Sequence, residues 1–331
     1  MAAETTQRGW AFVTGGSGFI GGRLIERLRA NGYGVRALAR SERSADTVRE
    51  RGAEPVQGDL GDVEAMRAGA EGCDRAFHLA AQVGTWGKRE DFERGNVEGT
   101  EKVLSACAAA GVARFVHCST EAVLLAGHPL VNVDETAPRR PDSPALYSAT
   151  KARAEEVVER HASDGMTATI VRPRFVWGRG DTTLLPALTE QARSGRLRWI
   201  GGGTHRTSTT HVENTVHGML LAAEKGGAGE IYFVTDDETV VFRDFVSELV
   251  ATQGVDPPQG TLPTALAGAL ATASEAAWRL LPLSGDPPLT RFEYWIASQE
   301  CTLDDSKARR ELGYEPVMSR EQGMEQLRRG G

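Results

Sequence analysis

Tyr147 and Lys151 lie four residues apart in the run Tyr147-Ser148-Ala149-Thr150-Lys151, a spacing that puts both side chains on one face of a helix. A phenol with an ordinary pKa of about 10 is a poor base at neutral pH. An ammonium one helical turn away favours the phenolate and makes proton exchange with an alcohol or carbonyl oxygen practical. Thr120, just beyond an apolar run, offers a hydroxyl that can polarise a carbonyl, with neighbouring Ser119 as the backup. In isolation a Tyr-x-x-x-Lys pair is more often an exposed helix pair than a reacting one. The elements that must position it decide its meaning.

Those elements alternate through the first half of the chain. Apolar runs at Ala11–Thr14, Gly34–Ala39, Glu54–Gln57, Arg75–Leu79, Arg114–Cys118 and Met166–Arg172 read as strands. Helical periodicity separates them at Gly21–Asn31, Asn96–Gly111 and Tyr147–His161. Short apolar strands alternating with helices predict a Rossmann-like parallel sheet covered on both faces, an α/β class fold. After Pro173 the rhythm changes: helices at Leu184–Arg193, Glu213–Lys225 and Phe242–Gln253, a short strand at Leu197–Ile200, a return strand at Gly229–Val234 and an apolar stretch at Leu262–Leu283. The expected division is a dinucleotide-binding domain of residues 1–172 plus about 207–236, with a smaller, discontinuous C-terminal substrate domain of about 173–206 plus 237–331.

The first strand runs into Gly15-Gly16-Ser17-Gly18-Phe19-Ile20-Gly21, which opens a helix. Glycine there permits a tight turn, removes side chains where a pyrophosphate approaches and lets helix and strand pack closely, while the helix N-terminus offers free N–H groups to the anion. Asp59-Leu60 after the third strand is placed near an adenine, and Leu79-Ala80-Ala81 after the fourth leaves room for the rest of the cofactor. An acidic residue closing the second strand would accept hydrogen bonds from the ribose hydroxyls of NAD. Here the strand ends Ala39-Arg40-Ser41, with Arg43 close behind, and an arginine fork suits a 2′-phosphate. NADP(H) is therefore preferred, with NAD(H) possible through stacking of Arg40 on adenine. Bound beside Tyr147, an oxidised nicotinamide ring would add to the pull of Lys151 towards phenolate.

Composition narrows the classes. A net charge of −7 with interspersed signs gives no support to nucleic-acid binding. Cys73, Cys107, Cys118 and Cys301 form no metal spacing, and a chain of this length builds its own core without a disulfide framework, so reduced thiols in a cytoplasmic setting are expected. Met1–Arg8 lacks the apolar core of a secretion signal. No stretch reaches the roughly 18 apolar residues of a membrane span; Leu262–Leu283 comes nearest but is interrupted by Glu275, Arg279 and proline. His205, His211 and Glu213 do not form a metal pattern, and His78 and His117, just before strand ends, read as buried, hydrogen-bonded histidines.

Gly15–Gly21, Thr120 and the Tyr147–Lys151 run together resemble the extended short-chain dehydrogenase/reductase family, whose members include epimerases, dehydratases and ketoreductases. Trp86, Asn96-x-x-Gly99-Thr100, Arg172–Gly178 and Thr209–Asn214 are similar to its 3β-hydroxysteroid dehydrogenase-like branch and to bacterial 2-alkyl-3-oxoalkanoate reductases. The resemblance implies reversible hydride transfer between a nicotinamide and a ketone or secondary alcohol. Tyr147 would exchange the proton, Lys151 would lower its pKa and contact the ribose, and Thr120 would polarise the carbonyl. Asn96 would hold strand-end geometry, Pro173 would line the nicotinamide pocket and His211 would sit between the two domains. It also implies a homodimer through two helices of each subunit, Asn96–Gly111 and Tyr147–His161 among them. Dehydratases of the family carry Thr-Asp-Glu where this chain has Thr120-Glu121-Ala122, and epimerases often continue Val-Tyr-Gly where it has Val123-Leu124-Leu125.

The expected small-molecule substrate is bulky and hydrophobic, 3-oxoacyl or sterol-like, because Trp86, Trp177, Leu184, Leu185, Trp278, Leu280 and Leu281 could line an apolar pocket or lid. The same residues equally suit a core, and Leu262–Leu283 also suits contact with a membrane surface. Arg172, Arg174 and Arg206 are candidates for a carboxylate or phosphate. The rivals are an NAD-dependent sugar-nucleotide epimerase and a non-catalytic nucleotide-binding scaffold or redox sensor.

Overall fold

The computed structural model describes residues 8–162 and 165–330. Seven parallel strands form the central sheet: β1 (Trp10–Thr14), β2 (Gly34–Ala39), β3 (Glu54–Gln57), β4 (Arg75–His78), β5 (Arg114–Cys118), β6 (Thr167–Pro173) and β7 (Ile231–Val234). Their order is β7-β6-β5-β4-β1-β2-β3. The sequence outward from β1 reverses between β1 and β4, which opens a crevice at the carboxyl ends of those two strands.

Helices cover both faces. On one side α1 (Phe19–Ala30) and α6 (Val212–Lys225) bury Leu24, Ile25, Leu28, Val216 and Met219 against Val13, Val35 and Val171. On the other α3 (Val63–Ala70), α4 (Gly99–Ala109) and α5 (Leu146–His161) bury Met66, Val103, Leu104, Val157 and Val158 against Phe12, Phe115 and Ile170. Each such aliphatic side chain contributes about 1.5–3 kcal/mol on leaving water. These are the near-continuous apolar strands and striped helices expected of a doubly wound sheet.

The strand and helix ranges read from the sequence agree with the structure within a few residues. Of the helices that escaped that reading, Arg291–Ser298, Ser306–Leu312 and Arg320–Gly330 lie in the last part of the chain, and two lie between β2 and β4: α2 (Glu42–Glu50) and α3. Their starts are nonetheless written in side chains: Ser41 caps α2 through a reciprocal box with Ser44, and Asp62 caps α3 by accepting from the Ala65 N–H. The run before α4 also differs from a plain helix. It is a short helix, Arg89–Phe92, followed by a π-helical turn, Glu93–Glu98, that contains Asn96; such turns are frequent at functional sites.

Beyond the central sheet lies a smaller C-terminal region of helices and short strands. Cys301–Leu303 pairs with Leu130–Val133 on one side and with Arg206–Thr207 on the other, and Val240–Val241 completes that four-stranded sheet. Trp177, Leu185, Trp199, Phe242, Phe245, Val246, Leu249 and Met324 form its main core. The chain then returns: helix Ser306–Leu312 packs Ala308 and Leu312, with Tyr314, into the core of α1 and α6. No helix among the described residues is long and apolar enough to cross a membrane.

Candidate active site

The glycine turn occupies the crevice opposite β4. Gly15 has φ +74°, and a Cβ on it would stand 2.6 Å from the Ala80 backbone nitrogen, so only glycine fits between the turn and the Leu79-Ala80-Ala81 segment. A Cβ on Gly21 would meet the Gly15 oxygen at 2.2 Å, which sets the close crossing of α1 under the turn. Ser17 and Gly18 are exposed, and a Cβ on Gly18 would find only the Gly15 oxygen within 4 Å. The turn thus presents open backbone at the N-terminus of α1, a cradle that fits a pyrophosphate. Phe19 and Ile20 begin α1 beside it.

One member of this cradle was missed in the sequence. Arg51, after α2, donates to the Gly16 and Gly18 carbonyls at 3.1 and 2.9 Å. It reaches them because residue 22 is glycine: a Cβ there would lie 1.3 Å from the Arg51 Nη1. Gly22 next to the fingerprint was the available signal. At the adenosine end Arg40 is exposed at the close of β2, and Asp59, also exposed, accepts the Gly61 N–H at 2.7 Å. Leu60 packs against Gly99 at the start of α4.

Tyr147 and Lys151 rise from the first turns of α5 towards the carboxyl end of β5. Asn96 fixes that helix. It is buried, its Oδ1 accepts the Gln82 N–H at 2.7 Å, and its Nδ2 donates to the Gln82 carbonyl at 3.1 Å and to Thr150 Oγ1 at 2.9 Å. The segment after β4 is thereby tied to the turn of α5 between Tyr147 and Lys151.

Lys151 is buried, and its Nζ reaches His117 Nε2 at 2.8 Å and the Cys118 carbonyl at 2.9 Å. Burial pulls its pKa down to about 8, with Cys118 and Glu155 opposing. His117 lies 5.2 Å from the His78 ring, and His78 sits between Thr14 Oγ1 (2.7 Å) and Thr100 Oγ1 (3.0 Å). Burial, then the charge of Lys151, holds both imidazoles neutral, His78 down at about 3. The two histidines are buried and hydrogen-bonded as expected, and His117 has a further part as acceptor for the lysine.

Tyr147 is partly exposed, packs edge-on to Phe292 at 6.0 Å and has its phenol beside the Thr120 hydroxyl. Burial, Cys118 and Glu121 push its pKa up, and Thr120 pulls the other way. The phenol is thus held in its proton-bearing form. Thr120 caps the single turn Glu121–Leu124, accepting the Ala122 N–H at 3.2 Å and donating to Glu121 Oε2 at 2.9 Å. Ser119 is buried and donates to Glu155 at 2.5 Å.

Two of the three candidate anion-binding arginines are spent internally. Arg172 donates twice to Glu155, at 2.9 and 2.6 Å, and Arg174 pairs with Glu121, all four side chains being buried. Arg206 is exposed and donates to Thr239 Oγ1 at 3.0 Å. Pro173, between the two buried arginines, closes β6. The apolar candidates divide. Trp86 stays partly exposed under the Arg279 guanidinium, 5.6 Å from its ring centre, whereas Trp177 is core, donating to Asp236 at 2.9 Å. Leu280 and Leu281 face outward at 83% and 55% exposure. His211 packs edge-on to Trp177 and His205 stacks on Phe242, two rings of the smaller region's core.

Residues 11–235 match the model of the NAD dependent epimerase/dehydratase family. The chain is 46% identical to a 4-hydroxy-2-methyl-3-oxo-4-farnesyl-3,4-dihydroquinoline-1-oxide ketoreductase of Stigmatella aurantiaca, over 97% of this chain and 96% of that one. It is 38% identical to a 2-alkyl-3-oxoalkanoate reductase of Stenotrophomonas maltophilia, over 96% and 97%. In fold it is similar to a UDP-glucuronic acid 4-epimerase from Bacillus cereus solved with NAD, with a TM-score of 0.73, 21% identity, and 97% and 99% of the two chains covered.

Proposed function

The chain belongs to the NAD dependent epimerase/dehydratase family of short-chain dehydrogenases/reductases, and from that premise we propose that it reduces a bulky, neutral, hydrophobic ketone to a secondary alcohol. It is an NAD-binding Rossmann-fold enzyme of the oxidoreductase/epimerase type. The observation that carries the finer reading is the meeting of Tyr147 and Thr120 hydroxyls beside Lys151, with Arg172 and Arg174 already neutralised by buried carboxylates. Such a site offers donors to a carbonyl oxygen and leaves neither of those two cations for a substrate acid. The farnesylated dihydroquinoline oxide named for the 46% identical relative is of that chemical class.

A bound nicotinamide supplies the hydride. The turn Gly15–Gly21 would hold its pyrophosphate, braced by Arg51, while Pro173 and Leu79-Ala80-Ala81 would flank it and Lys151 would donate to the ribose. Tyr147, kept protonated by burial, gives its proton to the developing alkoxide, and Thr120 shares that oxygen's charge. Arg40 favours NADP(H) through the 2′-phosphate.

A second reading, sugar-nucleotide epimerisation, draws on the family model and on likeness of fold to the UDP-glucuronic acid 4-epimerase. Against a dehydratase variant of it, Glu121 is locked to Arg174 and the following position is Ala122. Nicotinamide absorbance followed with NADPH and NADH separately, over neutral ketones, 3-oxo acids and sugar nucleotides, tests both. Consumption of NADPH with neutral ketones is expected; epimerised sugar nucleotide without net cofactor turnover would overturn the reductase. Tyr147→Phe should lower kcat by about 10²–10⁴-fold while cofactor affinity stays within about twofold; full activity would remove Tyr147 from the mechanism.

A further inference from the structure

The hydroxyl of Thr120 has one proton and two lone pairs, and the proton and one lone pair are committed within the protein. The proton goes to Glu121 Oε2 at 2.9 Å and one lone pair takes the Ala122 N–H at 3.2 Å, which leaves the other for a donor such as the neighbouring Tyr147 phenol. Glu121 cannot turn away, because its other oxygen is paired with Arg174. Arg174 is fixed in turn: its Nε donates to Thr207 Oγ1 at 2.9 Å and its backbone N–H to Thr210 Oγ1 at 3.0 Å. Both side chains are essentially enclosed, at 5% and 1% exposure. Phe175, the next residue, holds a left-handed backbone at φ +48° and packs edge-on to Phe242 and Phe245, anchoring Arg174 to the smaller region.

We propose that Glu121, clamped by Arg174, is a positioning residue for carbonyl reduction: it draws the Thr120 proton inward, so that the Thr120 oxygen accepts the Tyr147 O–H. The inference rests on the reading of Tyr147 as the proton donor. Tyr147 then waits with its proton aligned along one line, Tyr147 to Thr120 to Glu121. When a carbonyl oxygen enters, the Tyr147 O–H turns from Thr120 to it; as hydride reaches the carbon, that O–H bond breaks and the alcohol O–H forms. Thr120 is freed to swing its own proton from Glu121 towards the phenolate or alkoxide. Arg174 has a spare Nη2 donor, unpartnered among the described residues, in the guanidinium already facing Glu121. The carboxylate is thus not abandoned when Thr120 turns away.

The test is a double-mutant cycle on the full-length enzyme with NADPH and a ketone substrate. Glu121→Gln replaces an acceptor by an amide that can donate to Thr120 and turn its proton towards Tyr147. It should lower kcat by about 10²-fold, the scale of a misplaced reacting group, with little change in KM. In a Thr120→Val background the same substitution should cost less than about twofold, because the group it acts through is gone. Equal losses in both backgrounds would overturn the proposal, whatever the cause of the first. Glu121→Gln/Arg174→Gln, which leaves no buried charge unpaired, controls for folding and should remain as slow as Glu121→Gln. A readout that needs no substrate separates this proposal from the reductase assignment. The phenolate absorbance of Tyr147, taken as the difference from Tyr147→Phe, should move to lower pH in Glu121→Gln, since the Glu121 charge helps raise the phenol. An unmoved phenol titration would refute the contact, even in a protein that reduced no ketone.

Discussion

Replacing His117 by leucine should make the site fail at neutral pH. The Lys151 ammonium has two acceptors in its buried pocket, His117 Nε2 and the Cys118 carbonyl, and its pKa already lies at about 8. His117 is neutral, so it stabilises the charged lysine as an acceptor. A hydrogen bond to a charged group contributes about 1.5–3 kcal/mol, and one pKa unit corresponds to about 1.4 kcal/mol. Removing it should therefore lower the Lys151 pKa by roughly one to two units, into the range of about 6 to 7. The sign follows from the charged form being the one that loses a partner. On the proposed reading a protonated Lys151 would donate to the cofactor ribose, so affinity would be present below its pKa and fall as pH rises through it. NADPH fluorescence titrations between pH 5.5 and 9.5 on wild type and His117→Leu measure the two midpoints. The wild-type decline should centre near 8 and the variant's below 7. A midpoint that stays, or moves upward, would show that His117 does not hold the lysine.

Two further expectations concern the supports of the site. Glu155→Gln leaves the Arg172 guanidinium buried without its counter-charge and should cost about 3–5 kcal/mol in denaturant unfolding; Glu155→Leu/Arg172→Met should recover most of it, and a single-variant loss under about 1 kcal/mol would contradict the burial seen here. Gly22→Ala must drive Arg51 off the Gly16 and Gly18 carbonyls, weakening nucleotide binding about tenfold, equivalent to some 1.4 kcal/mol. Calorimetric titration of Gly22→Ala should match Arg51→Ala, and unaltered affinity in both would make the brace irrelevant.

Much of the large domain was legible because its signals are local. The strands of the central sheet are short apolar runs, and Gly15 announces a left-handed turn that no other residue type fits beside Ala80. Helices α2 and α3 escaped because their stripes are short: α2 buries only Ala45 and Val48. Their Ser41 and Asp62 caps were the readable part. The smaller region was harder for a different reason. Cys301–Leu303 finds its partners about 170 and 95 residues earlier, at Leu130–Val133 and Thr207, and a three-residue strand carries no periodicity that could name them. The outward face of Leu266, Leu270 and Leu280 shows the same limit, since apolar spacing in that helix did not tell which face is covered.

The choice between Ser119 and Thr120 turns on contacts of this long-range kind. Adjacent in sequence, each hydroxyl donates to a buried carboxylate, and each carboxylate is clamped by an arginine from the end of β6: Glu155 by Arg172, Glu121 by Arg174. Chemically the two assemblies are alike. They differ in where the hydroxyl oxygen faces. Ser119 is enclosed at 5% exposure, so its polar neighbours are protein, and its bond to Glu155 fastens α5 to β5 and β6 beneath Lys151. Thr120 is partly exposed and lies beside the phenol, so on the proposed reading the same construction there would hold a proton at the reacting oxygen. Hydroxyl, carboxylate and guanidinium thus serve as a fastening in one copy and as an orienting device in the other. Ser119→Ala should accordingly register in unfolding free energy, and Thr120→Val in kcat. The reverse pattern would exchange the two roles.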